Sequence, residues 1–143
     1  MSFKIKKATL NDALKVYNLR FLQSDLRNYF SQEVVTYKEH QSFWIKNYRH
    51  YHIGVIGVEF AGYYGYVNND FRYAVIPKYR GRGIGKKLVA DALRNYHIKT
   101  IRVIKTNLSS IKCLKKCGFK VNSIREFNGI KFVELENSLG RKY

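Results

Sequence analysis

The sequence predicts an α/β domain built on a mixed sheet with helices on its faces. Three observations predict it. Strand-like runs and amphipathic stretches alternate in the order β-α-α-β-β-β-α-β-α-β-β. A basic, glycine-rich loop, "VIPKYRGRGIGKKLV" at residues 75–89, stands between a strand and a helix. Asn128-Gly129, between two apolar runs, is the strongest short hairpin signal in the chain.

Each element follows from local pattern. "FKIKKAT", residues 3–9, alternates as a strand does. Asn11 or Thr9 caps the helix "DALKVYNLRFL", with Leu14, Val16 or Tyr17, and Leu22 spaced for one buried face. "SDLRNYF", residues 24–30, is a candidate second short helix. "TYKEHQSFWIKNY", residues 36–48, carries a capping box: Thr36 at the cap, Glu39 three residues on, then Phe43, Trp44 and Tyr48. "HIGVIGV" and "AGYYGYV" are strands rich in β-branched and aromatic residues. Asn68-Asn69-Asp70 is a tight turn, and "FRYAVI" is a strand ended by the only proline. Beyond the glycines, Ile84, Leu88, Ala92 and Tyr96 form one helical stripe. "TIRVIK" is a strand. "SSIKCLKKCGF" is a short helix with Ser109 or Ser110 at its start and Gly118 at its end. "KVNSI" and "IKFVELE" are the last two strands.

Composition bounds the function. The chain has 143 residues, the size of one domain over 1–143, with enough apolar content for a real core. It has no apolar run long enough to span a membrane, and its start lacks a signal-peptide pattern, so the cytoplasm is the expected compartment. Cys113 and Cys117 lie four apart in a helix, a spacing that suits neither a disulfide nor, without a close histidine, a zinc site. They read as reduced packing residues, and no metal is expected. The formal net charge is +17. Residues 1–71 hold nine basic and six acidic side chains, and residues 72–143 hold eighteen and four, so the excess lies in the half that carries the glycine loop. Such a field attracts anions.

Three phosphate-binding templates compete for that loop. A Walker loop fails twice: Arg80 stands where its first glycine belongs and Lys87 where its magnesium hydroxyl belongs. The dinucleotide fingerprint fails because the third glycine is one residue early and no acidic residue follows at the required distance. R-x-x-G-x-G is matched by Arg80, Gly83 and Gly85. It forms a nest of main-chain N–H groups at a helix N-terminus, reinforced by Arg82, Lys86 and Lys87, and it asks for no metal.

The stretch "VIPKYRGRGIGKKLV" resembles the acetyl-CoA-binding motif of the GNAT N-acetyltransferase superfamily. "NLSSIKCLKKCGF" resembles its second signature through Asn107, Ser110, Gly118 and Phe119. The element order is similar to that fold over nearly the whole chain, which implies a mostly antiparallel central sheet. The resemblance implies acetyl-CoA as donor, with the pantetheine arm along Ala74, Val75 and Ile76. The pyrophosphate would sit on the amides of Arg80, Gly81, Arg82, Gly83, Ile84, Gly85 and Lys86, with Asn107 and Ser110 alongside. The reaction would be direct transfer to a neutral amine, with a main-chain N–H near Val75 stabilising the oxyanion. Many such proteins carry a tyrosine seven residues after the asparagine, as acid for the leaving thiolate. Here that position is Leu114. Tyr64, Tyr66 and Tyr73 are alternatives, and Cys113 is a weaker one. For the base, Asp70 or His40 is expected, with Glu59 a further alternative.

The acceptor region, residues 19–48, resembles amino-sugar N-acetyltransferases of bacterial surface-glycan pathways, through Arg20, Arg27, Tyr29, Thr36, Glu39, His40 and Trp44. It implies a small-molecule amine, with Arg27, Tyr29, His40 and Trp44 binding it. Protein N-termini and other small amines are the rivals. The resemblance also allows a homodimer. The charge leaves room for a weak contact with RNA or a membrane surface, for a nucleic-acid-binding protein, and for an acyl-CoA binder without turnover.

Overall fold

The computed structural model describes residues 2–23 and 35–138. Among the described residues, seven strands and four α-helices follow the expected order: β1 (Phe3–Lys7), α1 (Ala13–Tyr17), α2 (Tyr37–Asn47), β2 (Tyr51–Ile56), β3 (Glu59–Val67), β4 (Asp70–Val75), α3 (Ile84–Asn95), β5 (Thr100–Ile104), α4 (Leu108–Lys116), β6 (Phe119–Phe127) and β7 (Ile130–Asn137). The candidate helix at residues 24–30 lies outside the described residues.

The strands form two antiparallel sheets, β1-β2-β3-β4 and β5-β7-β6. No ladder joins β4 to β5 among the described residues, so β4 is an edge strand. Both hairpin signals act as their residues dictate. Asn68 and Asn69 have φ of 51° and 62°, and Asn128 and Gly129 have 51° and 77°. Two successive positive φ values make a primed turn, whose twist matches that of the flanking strands.

Two apolar clusters cover the two faces of the first sheet. On one face Ala61, Tyr64 and Phe71 meet Leu88, Val89 and Ala92 of α3, Leu114 of α4, and Val133 and Leu135 of the second sheet. On the other face Tyr51, Ile53, Tyr63 and Ala74 meet Ala13, Val16 and Leu19 of the first helical segment and Trp44 of α2. Strand periodicity explains the division: along β4, Phe71, Tyr73 and Val75 join the first cluster, and Ala74 the second.

Two expectations need correction, and a third is resolved between its two alternatives. Leu14 and Leu22 are 51% and 65% exposed, while Val16, Tyr17, Leu19 and Arg20 are buried. The buried residues follow the i, i+3, i+4 spacing from Ala13, which leaves Leu14 and Leu22 outward, and the helix continues as a π-type turn over Asn18–Gln23. Of the two caps expected, Thr9 sets its start: the Thr9 N–H donates to the buried Asp12 carboxylate at 2.8 Å. The cap of α4 is Asn107, whose Oδ1 accepts the Ser110 N–H at 3.3 Å, two residues before Ser109 and three before Ser110. The capping box of α2 forms as expected. The Glu39 N–H donates to Thr36 Oγ1 at 3.1 Å and the Thr36 N–H to Glu39 Oε1 at 2.9 Å. Cys113 and Cys117 are free thiols.

Leu88 is fully buried between α3 and the sheet. Leu88→Ala is expected to cost about 2–5 kcal/mol, read from chemical denaturation. His40 and His52 are both buried, and burial pulls both imidazoles below their usual value. The unfolded chain therefore takes up protons first as pH falls through about 6.5, and stability is lost on the acid side of that value. Thermal melts between pH 7 and 5.5 should show this decline, and His52→Gln should flatten it.

Candidate functional site

The glycine loop builds the mouth of a cleft of about 430 Å³. After Pro77 the chain makes one 3₁₀ turn, Pro77–Tyr79, and then enters α3 through two left-handed residues. Gly81 has φ +79° and Gly83, the cap of α3, has φ +77°. A Cβ at either would meet nothing within 4 Å, so these glycines are required by backbone conformation and leave open space in front of them. The first helical bond runs from the Lys87 N–H to the Gly83 carbonyl at 3.2 Å. The N–H groups of Ile84, Gly85 and Lys86 precede it and have no partner within the helix. Left-handed residues followed by a helix start make a concave set of donors with the helix dipole behind it.

The floor of the cleft is β4. The Ile76 N–H donates to the Ala61 carbonyl at 2.8 Å, toward β3. Antiparallel pairing alternates, so the N–H groups of Val75 and Tyr73 point the other way, to the unpaired edge. The Val75 carbonyl on that edge accepts Arg80 Nε at 3.1 Å. An edge strand with bare amide groups is a template for an extended, amide-bearing chain. The opposite wall is the start of α4, with Asn107, Ser109, Ser110 and Cys113. Arg80, Lys86, Lys112 and Lys116 also line the cleft, and its described lining holds no carboxylate.

Among the residues expected to hold the donor, Ala74, Val75, Arg80, Gly81, Gly83, Ile84, Gly85, Lys86, Asn107 and Ser110 converge on this cleft. Two stand apart from its lining. Ile76 packs into both cores with its N–H spent on β3, and the Arg82 guanidinium lies 5.4 Å from the centre of the Tyr79 ring. Sequence reasoning missed Tyr79, Lys112 and Lys116. The basic stretch around "KCLKK" carried a signal for the lysines. Tyr73, weighed there only as an acid, is also part of the wall.

A second cavity of about 180 Å³ lies on the α1–α2 side of the first sheet. Arg20, Phe21, His40, Phe43, Tyr51, Tyr63 and Arg72 are among the residues that line it. His40 Nε2 lies 3.1 Å from the Ala13 carbonyl, so Nε2 carries the proton and donates it, and Nδ1 keeps its lone pair. Burial lowers the His40 pKa, which keeps the ring neutral near pH 7. Asp70 accepts Arg72 Nε at 2.8 Å and does not line the cavity. Glu59 is tied to Lys78 and Tyr79, which hold its carboxyl below the usual range. Trp44 corrects an expectation: it is 1% exposed, and its indole N–H donates to the Thr9 carbonyl at 3.0 Å, so it is a core residue. Arg27 and Tyr29 lie outside the described residues. No cluster of three or more metal-ligating side chains occurs among the described residues, and none of the described helices is long and apolar enough to cross a membrane.

Comparison with known proteins agrees with this architecture. No curated protein matches the chain. Solved structures match it closely in fold at low identity. A Salmonella typhimurium protein, described with its cofactor acetyl-CoA, has TM-score 0.72 at 15% identity, covering 94% of this chain and 92% of its own. Spermidine N-acetyltransferase from Vibrio cholerae, with CoA and spermine, has TM-score 0.75 at 17% identity over 93% of each chain. Ribosomal-protein-alanine N-acetyltransferase from Brucella melitensis has TM-score 0.74 at 16% identity, covering 92% and 97%. The family model "Acetyltransferase (GNAT) family" matches residues 15–119, which takes in the first helices, the edge strand, the glycine loop and the start of β6. The chain therefore belongs to the GNAT acetyltransferase family, and is an acyltransferase that takes acetyl-CoA as donor.

Proposed function

We propose that this single-domain, cytoplasmic enzyme acetylates the amine of a small, anionic acceptor, a nucleotide-linked amino sugar before other classes. We assign the first cleft to acetyl-CoA and the second cavity to the acceptor. The observation that carries this reading is the alternation along β4. Tyr73 and Val75 face the α3–α4 side, and Arg72 lines the cavity on the other. Ala74 touches both regions, since it lines the cleft and packs in the cluster that contains Tyr51 and Tyr63. Donor and acceptor would thus meet across one strand.

In this reading the residues divide the work. The amides from Gly81 to Lys86, with Arg80, Lys86, Lys112 and Lys116 around them, hold the phosphates. The bare N–H groups on the β4 edge bind the pantetheine arm and the thioester oxygen, which gains charge during attack. His40, neutral and with Nδ1 unprotonated, takes the proton of the attacking amine, while Asp70 fixes Arg72. Arg20 and Arg72 favour an acceptor that carries phosphate or carboxylate, and the aromatic walls favour a sugar or base face. A polyamine, the ligand of the Vibrio cholerae structure, suits this basic cavity poorly. An N-terminal peptide amine is the second reading, favoured by the likeness to the ribosomal-protein acetyltransferase. The basic surface also suits a weak, salt-dependent contact with RNA or an anionic membrane, and a homodimer fits the reading as well.

Calorimetry with acetyl-CoA tests the donor site. Wild type should bind, and Gly83→Trp should lose at least about tenfold in affinity, because the indole occupies the nest and the residue has positive φ. Retained binding in the variant sinks the loop assignment. Release of free CoA thiol with a panel of amines tests the acceptor. Nucleotide-linked amino sugars should turn over, and polyamines should not. His40→Gln should lower kcat about 10²-fold and leave acetyl-CoA affinity unchanged. Trp44→Phe should instead lower the melting temperature while leaving the acceptor KM within about twofold.

A further inference from the structure

We propose that Tyr73 supplies the hydrogen bond that stabilises the departing sulfur of CoA, with Ser110 as its positioning residue. The inference rests on the assignment of the first cleft to acetyl-CoA. It answers a chemical gap, because Leu114 is fully buried in the core and has no proton to offer.

The position of Tyr73 follows from the cleft. Its β4 lining consists of Tyr73, Ala74 and Val75, and no earlier residue of the strand reaches it. The phosphate-binding loop follows Val75 along the chain, so Tyr73 is the β4 lining residue furthest from it in sequence, and in this reading the thioester sulfur lies beside its phenol. The ring turns toward the helices. A Cβ on Gly85 would lie 3.4 Å from a ring carbon, so the absence of a side chain there leaves room for the ring beside the start of α3. The phenol oxygen reaches α4, 2.8 Å from Ser110 Oγ. It therefore comes from the opposite wall to reach the helix that bears Leu114, one turn beyond Ser110.

The other phenols are committed elsewhere. Tyr64 donates to Asp91 at 2.7 Å and accepts from Asn95 at 3.1 Å, both at the far end of α3. Tyr66 donates to Asn69 at the hairpin tip, at 3.4 Å. Neither lines the cleft. Cys113 lines it and sits beside the phenol, with Cys117 hydrogen-bonded behind it. Those contacts pull the Cys113 thiol down to about 6. A group that ionises so readily is a poor partner for a second thiolate.

The hydrogen bonds can run in one direction. Asn107 Oδ1 holds the Ser110 N–H, and Ser110 Oγ–H can donate to the phenol oxygen. The phenol proton is then left for a sulfur acceptor, Cys113 beside it in the resting protein and the CoA sulfur once that enters the cleft. During transfer the amine nitrogen bonds to the acyl carbon, the C–S bond breaks, and its electron pair goes to sulfur. The amine proton leaves to the base. Burial pushes the Tyr73 phenol above its ordinary range, well above a thiol. The proton therefore stays on oxygen, and Tyr73 stabilises the thiolate by donating a hydrogen bond. The thiolate takes up its proton from solvent after release.

The test is the ionisation of the CoA thiol itself on the full chain. CoA labelled with ¹³C beside its sulfur reports thiol and thiolate by NMR shift. Bound to wild type, it should titrate at least about one pH unit below free CoA. Tyr73→Phe should return it most of the way to the free value, while calorimetry finds acetyl-CoA affinity within about twofold. Ser110→Ala should give part of the effect. With an active amine, kcat of Tyr73→Phe should fall about 10²-fold with little change in the acetyl-CoA KM. The proposal is overturned if the wild-type bound thiol titrates like free CoA, or if Tyr73→Phe leaves its titration unchanged. It is equally overturned if Cys113→Ala produces the shift assigned to Tyr73. Failure of wild type to bind CoA, seen first by calorimetry, removes the donor-site assignment and this inference with it.

Discussion

The unpaired edge of β4 is the constraint on which the rest of this molecule depends. A strand edge presents main-chain donors and acceptors that must be satisfied by something. Here the antiparallel sheet stops at β4, and the second sheet starts again at β5 without a ladder between them. The gap leaves the Tyr73 and Val75 N–H groups facing a cleft rather than another strand. Arg80 already exploits the same edge by donating to the Val75 carbonyl.

The edge works because the elements around it are held firmly. Leu88, Ala92 and Leu114 are fully buried, which fixes α3 and α4 against the sheet and so fixes the loop and the Asn107 cap. On the other face Trp44 ties α2 to Thr9, and His40 ties it to Ala13. These polar anchors settle the α1–α2 side without relying on the exposed Leu14 and Leu22. Helix spacing then decides the leucines: with Ala13, Val16 and Tyr17 inward, Leu19 and Arg20 follow on the buried face, and Leu22 shares the outward face of Leu14.

Charge then selects what the edge can hold. The cleft is ringed by Arg80, Lys86, Lys112 and Lys116, and the amides we assign to the phosphates sit among them. Glu59, which reaches the residues just before the loop, is paired with Lys78 and Tyr79. The basic excess of the second half of the chain is thus partly a local feature of one site. Much of the rest, such as Lys99, Lys105 and Lys120, is on exposed positions.

The sequence by itself determined the order of elements, both primed turns, the α2 capping box and the glycine loop. Each rests on interactions within a few residues: positive φ at Asn68, Asn69, Asn128 and Gly129, the Thr36–Glu39 exchange, and the left-handed Gly81 and Gly83. Local sterics and local hydrogen bonds act before any tertiary contact forms, so they are legible in the chain. The site was less so. That Trp44 is core, that Asp70 serves Arg72, that Glu59 is paired, and that Tyr73 rather than Tyr64 or Tyr66 lines the cleft were decided by packing between distant elements. All three tyrosines look alike in sequence. Only the meeting of β4 with the start of α4, 37 residues away, gives one of them Ser110 as partner and an open cleft beside it.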